Sequence, residues 1–255
     1  MSADPHFLEE FLSRVRVVLT RPTHPGNIGG AARAMQTMGL KRLVLVEPER
    51  YPHADATAMA SNATAVLDQL VVCSTLDEAL AGTTVQVAFT ARSRALSHEA
   101  LPVRETAAAL CGLAGEEIAL VFGNETYGLS NEEVMKCSRA AFIPTDENSR
   151  SLNLAAAVQV AGYALRVALL DGTREANGGA DTASGTLADH EDVERFFSHL
   201  EQSLYRSGFL QEGNPRRLME RMRRLFGRSG LETEEINILR GMLAAWDGTG
   251  GRHGA

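Results

Sequence analysis

A chain of 255 residues, 44% hydrophobic and 22% charged, has apolar content for a substantial core and length for one large domain or a domain with a small appendage. Its formal charge of −7 argues against indiscriminate coating of nucleic acid, although a local basic patch remains compatible with it. Cys73, Cys111 and Cys137 are too scattered for a disulfide framework or a zinc knuckle, and the seven histidines have no metal-binding spacing. With no apolar signal segment at the N-terminus, the expected location is the cytoplasm.

In chain order, near-continuous apolar runs at 15–19, 42–47, 69–73, 85–90, 118–123 and 140–144 predict strands covered on both faces. Helical patterns at 28–38, 55–67, 98–110, 130–138 and 152–170 alternate with them. This order predicts an α/β domain over 1–170, a mostly parallel sheet with helices on both faces.

The first strand leads into "THPGNIGGAARAMQTMG", residues 23–39. Pro25-Gly26 reads as a turn, Asn27 as the cap of the next helix and Gly39 as its end. Gly29, Gly30, Ala31 and Ala32 leave the helix nearly bare, and Arg33 projects from that surface. The run lacks G-x-G-x-x-G and so is not a dinucleotide fingerprint. Alone it fits an ordinary packed helix with a solvated arginine, or an arginine presented to an anionic substrate.

Further on, "VFGNETYGLS" (121–130) is a strand end followed by a glycine-bounded loop, with Ser130 and Glu133 spaced as a capping box. "FIPTDENSRSLN" (142–153) follows the last predicted strand, and Ser151 reads as the cap of the helix over 152–170. That helix is apolar and long enough to cross a bilayer, but Gln159 and Arg166 would be costly there. It is read as buried in a core or a dimer interface. Ligands of open α/β sheets sit at the carboxyl ends of the strands, where "FTARSR" (89–94) and these two loops would gather.

Residues 171–188 read as a flexible linker, 189–247 as an all-helical module with helices near 190–207, 214–227 and 232–246, and 248–255 as a disordered tail. On the second of those helices Arg217, Arg221, Arg224 and Arg228 form one stripe, and Leu218, Met222 and Leu225 a neighbouring stripe expected to pack inward. Such a basic run is either a solvated face or a phosphate track.

The trio "GNIGGAARAMQTMG", "LVFGNETYGLS" and "IPTDENSRSLNLAAAVQV" resembles the three ordered motifs of the SpoU branch of the SPOUT methyltransferases. The resemblance extends over nearly the whole chain apart from the linker and the two ends. It implies a C-terminal trefoil knot in the α/β domain, an obligate homodimer and transfer of a methyl group from S-adenosylmethionine to a ribose 2′-hydroxyl of RNA. The implied substrate is tRNA, at nucleotide 32 of the anticodon loop. An rRNA 2′-O-methyltransferase and a knotted RNA-binding factor without catalysis are the alternatives.

By the same resemblance, Thr90, Ala91, Gly123, Asn124, Leu129, Ile143, Pro144, Ser151 and Leu152 would hold the cofactor. Arg33 would reach toward the cofactor of the other chain and act as an electrostatic clamp on the acceptor. Asn27, Ser151 and Asn153 would orient the ribose or hold the loops. Glu125 would do the same, or simply bond loop amides. Arg21, His24, Arg92 and Arg94 would extend the RNA track of Arg217, Arg221, Arg224 and Arg228 toward the active site. Members of the branch that act on tRNA favour arginine in place of Asn124, a departure that bears on RNA choice.

Overall fold

The computed structural model describes residues 5–91, 100–113, 115–148, 151–175, 186–210, 215–227 and 230–249. A sheet of seven parallel strands forms the centre, in the order β3-β2-β1-β6-β4-β7-β5. The strands are β1 Val15–Thr20, β2 Arg42–Val46, β3 Val71–Cys73, β4 Val85–Phe89, β5 Ala100–Pro102, β6 Ile118–Phe122 and β7 Arg139–Phe142.

Side chains alternate across this sheet as a strand's twofold period requires. Val17 and Leu19 of β1 join one core, and Val18 joins the other. The first core is covered by α1 (Pro5–Ser13), α2 (Pro25–Met38), α3 (Ala54–Ala60), α6 (Val103–Cys111) and α8 (Leu154–Glu175). Two short helices, α5 (Leu76–Leu80) and α7 (Asn131–Met135), lie over the second. The expected parallel sheet between helices is therefore present.

Several local expectations need correction. Residues 98–110 do not form one helix: Ala100–Pro102 is an edge strand beside β7, and Pro102 then precedes α6. Proline is tolerated there because an edge strand has a free side that needs no N–H. The helix expected over 55–67 is broken into α3 and α4 (Thr64–Asp68), with Ser61 between them at φ 52°. Helices α1 and α5 were not expected at all. Pro25 begins α2 instead of making a turn, its fixed φ suiting the first helical position.

Helix α8 continues to Glu175, past its expected end at 170 and into the stretch read as linker. Its inner edge, Leu154, Val158, Ala161, Leu165 and Leu169, has helical spacing and packs into the first core. The expectation of burial all round does not hold within one chain. Only 33% of the apolar span Leu154–Gly172 is buried, and Tyr163 is 59% exposed.

Helices α9 (His190–Arg206), α10 (Pro215–Gly227) and α11 (Thr233–Thr249) form the C-terminal module around Phe196, Phe197, Ile236 and Leu243. The inward side of α10 carries Met219, Met222 and Phe226, whereas Leu225 is 52% exposed, contrary to the expected stripe. The module docks on the sheet domain through its first residue. The His190 N–H donates to the Thr83 carbonyl (2.9 Å), its ring contacts Asp77 (3.1 Å), and the Gly82 N–H donates to Glu191 (2.9 Å).

Candidate active site

The carboxyl ends of β4, β6 and β7 open into a cleft of about 170 Å³. Phe89 and Phe122, the last residues of β4 and β6, stack at 4.5 Å and 10° beneath it. Of the residues named for the cofactor, Thr90, Ala91, Gly123, Asn124, Leu129, Ile143, Ser151 and Leu152 line it, and Pro144 does not. The two phenylalanines and Thr145, Leu154 and Ala157 also line it and were missed. Their only sequence signal was a place at a strand end or at the start of the long helix.

The loop after β6 is a closed turn. The Asn124 side chain donates to the Arg21 carbonyl (2.8 Å) and accepts from the N–H groups of Thr126 (2.8 Å) and Tyr127 (3.2 Å). Its own carbonyl accepts from the Gly128 N–H at 2.8 Å. Gly128 lies in the left-handed region at φ 68°, which glycine enters without penalty. Gly123 is required for a different reason: a Cβ there would fall 2.1 Å from the Gly128 carbonyl carbon and the Leu129 nitrogen.

Glu125 ties this loop to the start of α2. Its carboxylate accepts from the Thr23 N–H and hydroxyl (both 3.0 Å), the His24 N–H (3.2 Å) and the Asn27 amide (2.9 Å). The Asn153 amide in turn donates to Asn27 Oδ1 at 2.8 Å, while Asn153 Oδ1 accepts from the Ala155 N–H at 2.9 Å. A continuous chain, Glu125–Asn27–Asn153, thus joins all three sequence motifs around one cleft. Asn27 does not cap α2, whose N-cap is His24, and at α8 it is Asn153, not Ser151, that accepts from the Ala155 N–H.

Burial resists ionisation of Glu125, but the Asn27 amide and the loop N–H groups outweigh it and hold the carboxyl below the usual glutamate range. A lowered folded pKa contributes stability above the unfolded value, near 4.3, and that contribution is lost as pH falls below it. Replacing Glu125 by Gln keeps the shape but turns one acceptor into a donor facing donors. Acid unfolding of Glu125→Gln is expected to lose the part of its pH dependence contributed here, with stability lowered by about 1–2 kcal/mol at neutral pH.

The expected RNA contacts separate into distinct groups. Arg21 is held by both carboxylate oxygens of Glu133 (2.5 and 2.9 Å) and is therefore committed to the capping-box turn of Ser130 and Glu133. Its ion pair is invisible in sequence, where the two residues are far apart. His24 is exposed at the rim, beside the Glu125 anchor. Arg221 is exposed on α10; Arg224 is partly buried and lines a second cavity. Arg223, not predicted, is paired with Glu194 and lies 4.4 Å over the Phe197 ring. Arg92, Arg94 and Arg228 lie outside the described residues, as does the side chain of Arg217.

Arg33 is exposed and has no hydrogen-bonding or ionic partner among the described residues. It does not line the cleft of its own chain. On α2 it shares a stripe with Gly30, packed on Ala155, and Thr37, whose hydroxyl contacts Gln159 at 3.3 Å. Arg33 therefore lies on the stripe of α2 that runs along α8.

A parallel α/β sheet whose ligand cleft is built by loops at the strand ends, locked by three ordered motifs, defines the class. Residues 14–163 match the SpoU rRNA Methylase family, and the chain belongs to that family. Residues 191–254 match the C-terminal domain of the tRNA methyltransferase TrmJ. The tRNA (cytidine/uridine/adenosine-2′-O-)-methyltransferase TrmJ of Pseudomonas aeruginosa is 47% identical, with 91% of this chain and 93% of that protein covered. The tRNA (cytidine/uridine-2′-O-)-methyltransferase TrmJ of Salmonella typhimurium is 44% identical over 92% of this chain and 96% of that protein. The crystal structure of TrmJ from Z. mobilis superposes with a TM-score of 0.78 at 29% identity, over 90% of this chain and 97% of that one.

Proposed function

We propose that the protein is an S-adenosylmethionine-dependent tRNA ribose 2′-O-methyltransferase acting in the cytoplasm on nucleotide 32 of the anticodon loop. The observation that carries this reading is the Glu125–Asn27–Asn153 chain, which fixes three loops around a single cleft, with Arg33 on the flank and without a partner among the described residues. The cleft suits the cofactor. Its walls are mostly apolar, and among the described lining residues Glu125 is the one charged side chain, with both oxygens already engaged by the loops. Gly123 keeps the loop backbone close enough to cradle a flat ligand.

When bound, S-adenosylmethionine supplies a methyl group already activated by its sulfonium, so the protein's task is positioning and charge stabilisation. Arg33 is always protonated and is therefore no general base. It clamps the phosphate beside the acceptor ribose and stabilises the alkoxide that develops on the 2′-oxygen. Asn27 and Asn153 hold the loops in register, and Ser151, exposed and lining the cleft, would meet the ribose.

The working unit is a homodimer. Tyr163 leaves an apolar side of α8 exposed, and a second copy seated there would carry its Arg33 toward the first copy's cleft. The insertion of β7 between β4 and β5, followed by the return of α8 to α2 and α6, supports a trefoil-knotted path.

The test is methyl transfer from labelled S-adenosylmethionine to unmodified tRNA, with ribose methylation mapped by mass spectrometry. The expected product is a single 2′-O-methyl group at nucleotide 32. Full activity on an rRNA fragment after removal of residues 171–255 would favour the rRNA alternative instead.

A further inference from the structure

A larger cavity, of about 480 Å³, lies between the sheet domain and the helical module. One wall is formed by the first residues of β4 and β7 and by α6; the other by α9 and α10. Arg139 opens β7, whereas Ile143 of the cofactor cleft lies just beyond that strand's other end, about 13 Å away at the usual rise per residue. The two openings are on opposite edges of the sheet.

Among the described residues lining this cavity, basic side chains outnumber acidic ones. Glu194 is the one carboxylate among the described lining residues, and both of its oxygens are taken by Arg223. Lys136 and His190 are both turned to Asp77. Arg139 is partly buried yet has no acceptor among the described residues. Burial pushes its pKa down. A guanidinium drawn out of water without a partner is unfavourable unless an anion completes it. Leu101, Leu113 and Phe226 give the same space an apolar wall.

We propose that this interdomain cavity is a second binding site, for a nucleotide whose phosphate is held by Arg139 and whose base rests on the wall of Leu113 and Phe226. Guanidinium groups match phosphate oxygens in a two-pronged geometry, and the cavity volume falls within the usual range for organic ligands, about 300–1,000 Å³. The nucleotide has two possible sources, a free mononucleotide or one unit of a bound RNA strand.

Calorimetric titration of the full chain with uridine 5′-monophosphate, pentauridylate and uridine separates these sources. Arg139→Met is expected to weaken the phosphate-bearing ligand about ten- to a hundredfold, with little effect on uridine. Leu101→Glu, at an exposed edge position, leaves Arg139 in place and adds a competing carboxylate; it is expected to weaken the same ligand. Unchanged heat of S-adenosylhomocysteine binding in both variants checks the fold. Arg139-dependent binding of the mononucleotide assigns the site to free nucleotide, and such binding of pentauridylate alone assigns it to RNA. If neither ligand binds, or if both bind equally well to Arg139→Met, the site does not exist. The readout involves no methyl transfer, so its failure would leave the proposed activity untouched.

Discussion

Arg33→Ala is expected to lower the rate of methyl transfer about a hundred- to a thousandfold while leaving the melting temperature and cofactor affinity near their starting values. The magnitude is that of removing one group aimed at charge that develops in a transition state. The stability expectation follows from the environment: Arg33 is exposed, and no described residue pairs with it, so its removal breaks no intramolecular bond. Arg33→Lys should recover only part of the loss, because an ammonium lacks the planar fork that meets phosphate and alkoxide together. Single-turnover kinetics with saturating tRNA would measure the effect. A large fall in melting temperature would instead mark Arg33 as a structural residue.

Gly123→Ala should have the opposite signature, losing cofactor binding first. The added Cβ would meet backbone atoms at 2.1 Å, and backbone of a turn closed by Asn124 and Gly128 cannot yield as a flexible side chain would. Overpacking of this kind costs about 1–3 kcal/mol, with cofactor affinity falling by up to about two orders of magnitude if the strain is relieved by opening the loop. Gly128→Ala is the informative contrast. Open space surrounds that position, so the cost is the left-handed backbone alone, about 1–2 kcal/mol. Calorimetry with S-adenosylhomocysteine would rank the two; equal affinities for Gly123→Ala and the unaltered protein would show that the loop is not part of the cofactor site.

The sequence is legible where a local pattern has one physical outcome. Continuous apolar runs became parallel strands, and Ser130 with Glu133 became a capping box because both residues lie within one turn. It was less reliable where partners are distant in the chain. Asn27 resembled a cap, yet its amide is committed to Glu125 and Asn153, about a hundred residues away in sequence. Arg21 resembled a phosphate contact, and Glu133 holds it. Leu225 fell on the wrong side of the predicted stripe because the angular position of a short helix depends on what it packs against, here α9. The apolar length of α8 was legible, but not which side remains open within one chain.

The central claim is that each active site combines one chain's cleft with the other chain's Arg33, and mixed dimers test it most directly. Arg33→Ala keeps an intact cleft, and Gly123→Ala keeps an intact arginine; each alone is expected to be nearly inactive. After the two are unfolded, mixed in equal amounts and refolded together, half of the dimers are heterodimers, each with one complete site and one doubly defective site. Random pairing across a symmetric interface therefore predicts recovery to about one quarter of the unaltered activity. Mixtures no more active than the separate variants, although heterodimers have formed, would contradict the account.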